Sequence, residues 1–244
     1  MRVVSLMPIH WFGDRKAYSQ SAVKIVTVGL NPSGKEFKAS KTSPESTVYR
    51  FPNYNSTNVS TLEMSLNEYF KIKPYTGWFN SFEHILAGMD ASYWNGKKDN
   101  IAIHTDFCTP WATDPSWSHL SDSEKNRLTC QGIPAWETLI KDLAPDIILF
   151  SIPDQYIRML NLTTYPQPLV TYNKTKCGNQ RKNPKVINYG DLCGTMVVFG
   201  KSWDTPFGDI DFMTKHSLGK NIMTAYKIKA NSSRINKMSK IIIP

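Results

Sequence analysis

The stretch Val23-Lys24-Ile25-Val26-Thr27-Val28-Gly29-Leu30-Asn31-Pro32-Ser33-Gly34-Lys35-Glu36 decides how this chain is read. Its first half is nearly all apolar and β-branched, the composition of a strand buried on both faces, as in a parallel sheet. Its second half is turn-forming, with Asn-Pro followed by Ser-Gly. In open α/β sheets ligands bind beyond the carboxyl ends of strands, so residues 29–33 are a candidate site under any chemistry. Gly29, Gly34 and Lys35 fit the phosphate-loop pattern G-x-x-x-x-G-K-[ST]. Glu36 stands where that pattern needs a magnesium-binding hydroxyl and would set a carboxylate beside a triphosphate. The polar, proline-containing residues that follow do not read as the helix a phosphate loop requires. Both features weigh against an NTPase.

Working outward, apolar β-type runs alternate with helix-like stretches. Residues 101–107, 146–151, 195–200 and 210–214 read as further strands. Phe79, Phe82, Ile85, Leu86 and Met89 recur at helical spacing, and residues 121–143 open with the cap-like Ser121-x-x-Glu124. Gly132 and Pro134 predict a break of that second helix into two. Residues 32–77 read as a long polar loop, and 163–193 as irregular and basic. The alternation predicts an α/β fold, a three-layer α/β/α sandwich around a mostly parallel four-stranded sheet. The length, 244 residues, suits one domain spanning 1–244.

Composition narrows the function. No apolar run is long enough to cross a bilayer, and the short stretch 3–9, broken by Pro8, is too short for a secretion signal. A cytoplasmic protein is expected, nucleoid-associated or nuclear according to the cell type. Cys108, Cys130, Cys177 and Cys193 form no C-x-x-C pair, so free thiols are expected and no zinc or iron–sulfur pattern is present. Net charge is +9, and it is uneven: residues 1–170 hold 16 Lys and Arg against 16 Asp and Glu, whereas 171–244 hold 13 against 4. A basic region of this size attracts polyanions, because each neutralised phosphate releases counterions.

Read as Gly29-Leu30-Asn31-Pro32, the opening stretch resembles the first active-site motif of the uracil-DNA glycosylase superfamily, closest to its mismatch-specific and single-strand-selective branches. Further segments match in order. Tyr49-Arg50-Phe51-Pro52-Asn53 resembles the base-stacking aromatic segment, and Trp78-Phe79-Asn80 the aromatic-rich helix that follows. His104-Thr105-Asp106 with Thr109-Pro110 resembles the second strand and its turn, and residues 145–150 the third strand. Thr214-Lys215-His216-Ser217-Leu218 resembles the His-Pro-Ser second motif, here without its proline. Ser33 replaces the usual glycine. The resemblance spans about residues 23–220.

It implies a monofunctional DNA glycosylase that hydrolyses the N-glycosidic bond of uracil or a related deaminated base and initiates base excision repair. No cofactor or metal, a DNA partner, no membrane and a monomer are expected with it. Asn31 and His216 would be catalytic, the amide of Asn31 positioning water rather than taking a proton and His216 donating to the base oxygen. Gly29, Leu30, Pro32, Phe51, Asn80, and His104 or Asp106 would hold the base, with Tyr49 and Tyr54 as rivals of Phe51. Ser33, Lys215, Ser217, Leu218 and Lys220 would contact DNA. Two other classes remain open: a non-catalytic nucleic-acid-binding member of the same fold, and a small-nucleotide hydrolase using residues 29–35. Trp111, Trp117, Trp136 and Trp203 read as packing.

Overall fold

The computed structural model describes residues 1–37, 50–58, 60–72, 74–200, 207, 208 and 210–239; Tyr49 and Trp203 lie outside them. The opening stretch forms β2 (Ile25–Gly29), buried at every position. It pairs in parallel with β4 (Asn100–Asp106) on one side and β6 (Ile147–Phe150) on the other. Beyond β4 lies the short parallel β3 (Ala91–Ser92), and beyond β6 the parallel β9 (Thr195–Gly200). The sheet continues antiparallel through β8 (Gln180–Leu192) to β7 (Gln167–Lys174). The strand order is β3-β4-β2-β6-β9-β8-β7, a mixed sheet of seven strands rather than the expected four. A separate ribbon joins β1 (Arg2–Val3) to β5 (Thr113–Asp114).

Side chains alternate across a strand, and the core divides accordingly. Ile25, Ala102, Ile147, Leu149 and Val198 enter one buried cluster, while Val26, Val28, Ile103, Ile148 and Val197 enter a second. The first cluster is capped by α3 (Ser60–Ile72), α4 (Thr76–Gly88) and α7 (Phe212–Ser239), through residues such as Leu66, Phe82 and Ile222. The second is covered by α1 (Arg15–Gln20), α5 (Asp122–Leu143) and α6 (Asp154–Ile157), through Tyr18, Trp136 and Tyr156. Each fully buried aliphatic side chain contributes about 1.5–3 kcal/mol, so strands buried on both faces anchor the fold.

Four expectations are corrected. Residues 163–193 hold the β7–β8 hairpin, and the 32–77 loop contains α3 and a single turn, α2 (Gly34–Phe37). Residues 210–214 are no strand: Asp211 accepts hydrogen bonds from the backbone and hydroxyl of Thr214 at the start of α7. Helix α5 runs unbroken through Pro134, its Gly132 lying against the Cys108 carbonyl where a Cβ would come within 2.0 Å. Its capping box, Ser121 with Glu124, forms as read from the sequence. Helices α4 and α7 cross backbone to backbone, because Cβ atoms at Gly88 and Gly219 would fall 2.0 and 2.1 Å from the carbonyls of His216 and Ile85.

Candidate functional site at the ends of two parallel strands

Register places Thr27 beside His104 and Gly29 beside Asp106. The period of two then turns all four toward the same face of the sheet. Thr27 Oγ1 lies 2.5 Å from Tyr93 Oη and 2.8 Å from His104 Nδ1. The other ring nitrogen, His104 Nε2, faces Asp106 Oδ1 at 3.7 Å. The imidazole is walled by Phe12, Phe79 and Phe82, whose centroids lie 5.7, 5.1 and 5.9 Å away. A side chain at residue 29 would displace its neighbours: a Cβ would sit 2.6 Å from Asp106 Oδ1 and 3.3 Å from His104 Nε2. Glycine lets the carboxyl and the imidazole pack directly against the strand backbone.

Asp106 is the unusual member. Its side chain is 3% exposed, and Oδ2 has no hydrogen-bond partner among the described residues. Burial pushes its carboxyl up, opposed by the His104 imidazole. A buried polar atom without a partner is rare in folded proteins, which marks Asp106 as a candidate functional group.

The loop after β2 keeps pace with the turn after β4, since Phe107 N donates to Gly29 O and Cys108 N to Leu30 O, both at 2.9 Å. Asn31 is half-buried at this strand end. Its Nδ2 donates to Pro32 O at 3.0 Å and Thr113 Oγ1 at 3.4 Å, which fixes the amide and leaves Oδ1 accepting from no described residue. Pro32 is buried, and Ser33 and Leu30 are half-buried. Gly34 presses on the Thr113 carbonyl, where a Cβ would fall at 2.1 Å; the glycine that mimics a phosphate loop is required by packing on β5.

Glu36 turns inward from α2. Its carboxylate accepts from Tyr69 Oη, with Arg50 Nε at 3.7 Å. Burial lifts the carboxyl to about 7; Tyr69 and Arg50 work against that shift, and the charge of Asp106 adds to it. Tyr69 Oη in turn accepts from Tyr75 N at 2.8 Å. Phe51 is buried, parallel to Phe37 at 5.9 Å between centroids and tilted against Tyr69.

The strand ends thus gather Gly29, Leu30, Asn31, Pro32, Ser33, His104 and Asp106. The second expected motif lies on helix α7. His216 is half-buried there, its backbone against Gly88, and no hydrogen bond or ion pair joins it to Asn31. Lys215 is buried and donates to Ser81; burial first, and Lys185 next, lower its ammonium to about 8. Leu218 is fully buried in the core, while Ser217, Lys220 and Asn80 are exposed. Thr27, Glu36, Arg50, Tyr69 and Tyr93 escaped the sequence reading. Thr27 carried a signal, being the lone hydroxyl in an apolar strand. Glu36 was read only as a defect in a phosphate loop.

Among the described residues no three His, Cys, Asp or Glu side chains cluster as a metal site requires, and no helix is long and apolar enough to cross a membrane. All four cysteines carry free thiols. No protein-family model, no curated protein and no solved structure matches the chain.

Proposed function

We propose that the chain is a DNA glycosylase that hydrolyses the N-glycosidic bond of uracil or a related deaminated base flipped out of DNA. The two helix-covered faces of the sheet suit the three-layer arrangement of the superfamily it resembles. The observation that carries the reading is the gathering of Asn31, His104 and Asp106 at the ends of two parallel strands, with Asp106 Oδ2 lacking a hydrogen-bond partner among the described residues. Base flipping needs polar groups that read the extruded edge, and these three side chains offer an amide, an imidazole and a carboxyl at one strand end.

In this reading the base edge meets His104 and Asp106. Burial raises the carboxyl of Asp106, and in its protonated form it donates to a base oxygen as negative charge builds on the leaving group. Asn31 holds water through Oδ1, its nitrogen being committed to Pro32 and Thr113. That water attacks the sugar carbon, the glycosidic electron pair leaves with the base, and the water's proton is released. An amide is not a base, so the mechanism leans on leaving-group stabilisation. The resemblance also names His216 and, for DNA contact, the exposed Ser217 and Lys220, and for these it is the support; Lys215 and Leu218 are buried and are not proposed as DNA contacts.

Oligonucleotides carrying uracil, hypoxanthine, xanthine or mismatched thymine test the reading through alkali-labile strand breaks. Release of one of these bases, reduced about 100-fold in Asn31→Ala and Asp106→Asn, is the expected result. Wild-type protein that releases none of them sinks it. The second reading, a non-catalytic nucleic-acid binder, draws on the basic β7–β8 hairpin and shows as DNA binding without base release.

A further inference from the structure

A cleft of about 480 Å³ opens between the β7–β8 hairpin and the start of α7, far along the sheet order from Gly29. Tyr172, Lys174, Thr175 and Lys176 line one wall, and Ile210, Asp211 and Thr214 the other. Two hydroxyls, Tyr172 Oη and Thr175 Oγ1, are shielded from solvent and have no hydrogen-bond partner among the described residues. Both belong to residues that line the cleft, and buried hydroxyls normally find partners. Residues 167–190 carry five Lys and Arg and no Asp or Glu. The cleft is therefore cationic along its hairpin rim.

The wall at the start of α7 differs. Asp211 is held ionised below the usual carboxylate range by the hydroxyl and backbone of Thr214. A carboxylate there repels phosphate but suits the N–H donors of a nucleobase. A ligand that matches both ends must be anionic at one end and bear ring N–H groups at the other, with hydroxyl-seeking oxygens between. A nucleotide has this pattern, and its base edge must be unpaired to reach Asp211.

We propose that this cleft seats one unpaired nucleotide of the DNA strand on which the strand-end site acts, its phosphate at Lys174 and Lys176 and its base against Tyr172 and Asp211. The identity of the polymer rests on the glycosylase reading. The binding test does not, because it uses an undamaged single-stranded oligonucleotide in which no base is excised.

Fluorescence anisotropy reads the affinity. The double variant Lys174→Gln/Lys176→Gln is expected to bind about tenfold more weakly. Its slope of log affinity against log salt should be shallower by roughly 0.7, the value for one phosphate on a single strand. Lys174→Arg/Lys176→Arg should restore binding, which separates lost charge from a damaged hairpin. Tyr172→Phe, keeping the ring and removing only the hydroxyl, should weaken binding several-fold. A double variant that binds with wild-type affinity and slope overturns the assignment, as does a wild-type chain that does not bind. Base release, measured on the same proteins, keeps the two readings apart. Lysine-dependent binding without base release leaves the cleft standing and removes the glycosylase; base release with lysine-independent binding does the reverse.

Discussion

Glu36 concentrates the pH response of the strand-end site in one side chain. Its carboxyl titrates near 7 in the fold, against about 4.5 when unfolded, because burial outweighs Tyr69 and Arg50. A raised folded value means the native state holds the proton more tightly. The associated stability is complete below about pH 4.5 and is lost as pH rises through about 7, on the order of 1.4 kcal/mol for each tenfold difference in proton affinity between the two states. Thermal melts at pH 5 and pH 8 should show wild type losing stability at the higher pH. Glu36→Gln keeps an acceptor for Tyr69 and removes the charge, so it should melt above wild type at pH 8 and depend less on pH. Asp106, also raised by burial, adds in the same direction. Asp106 could be named from sequence because a carboxylate ending an apolar strand stands out. Glu36 could not, since its partner Tyr69 is 33 residues away and only the fold brings them together.

At the scale of elements, the crossing of α4 and α7 depends on two absent side chains. A methyl at Gly219 would meet the Ile85 carbonyl and Gly88, and backbone cannot move aside as a flexible side chain can. Gly219→Ala should therefore destabilise the protein by about 3 kcal/mol, at the upper end of overpacking effects, despite alanine's better helix propensity. Ser121→Ala, which removes one half of the α5 capping box, should cost only about 1 kcal/mol. Chemical denaturation of the two variants checks both values and their order. The buried parallel strands β2, β4, β6 and β9 were legible because burial on both faces writes itself as a continuous apolar run. The β7–β8 hairpin was not, because its strands are largely exposed and carry Lys and Asn where a buried strand would carry Val. Residues 210–214 show the converse error: a short apolar run does not distinguish strand from helix, and the Asp211–Thr214 cap decided it. Helix α3 did carry its period in Leu62, Leu66, Tyr69 and Phe70, masked by the Ser and Asn around it.

Over the whole molecule, charge and chemistry are segregated. The strand-end site sits in a part of the chain without net charge, while the entire excess of +9 lies in residues 171–244. On the nucleic-acid reading, attraction and reaction are divided between two regions of one sheet. Affinity for an undamaged duplex should then fall at least tenfold between about 50 and 200 mM salt, while Asn31→Ala leaves it unchanged; titrations of both proteins by anisotropy decide. The spatial arrangement of the two expected motifs was the part least visible beforehand. Gly29 and Asp106 meet through strand register, which apolar runs specify. His216 follows residues 210–214, which read as a strand, and helix α7 carries it instead.

Both borders of the seven-stranded sheet are poor templates for growth. On one side β3 is two residues long, and on the other β7 carries Pro168, a bulge beside it and the terminal Lys174. Proline offers no amide to a docking strand, an irregular ladder misaligns the next one, and a lysine resists stacking against its own copy. Crowded chains should accordingly stay dispersed instead of zipping edge to edge into fibrils. Pro168→Val combined with Lys174→Val would remove two of these barriers, and light scattering of concentrated samples should then rise with time where the unaltered protein stays clear.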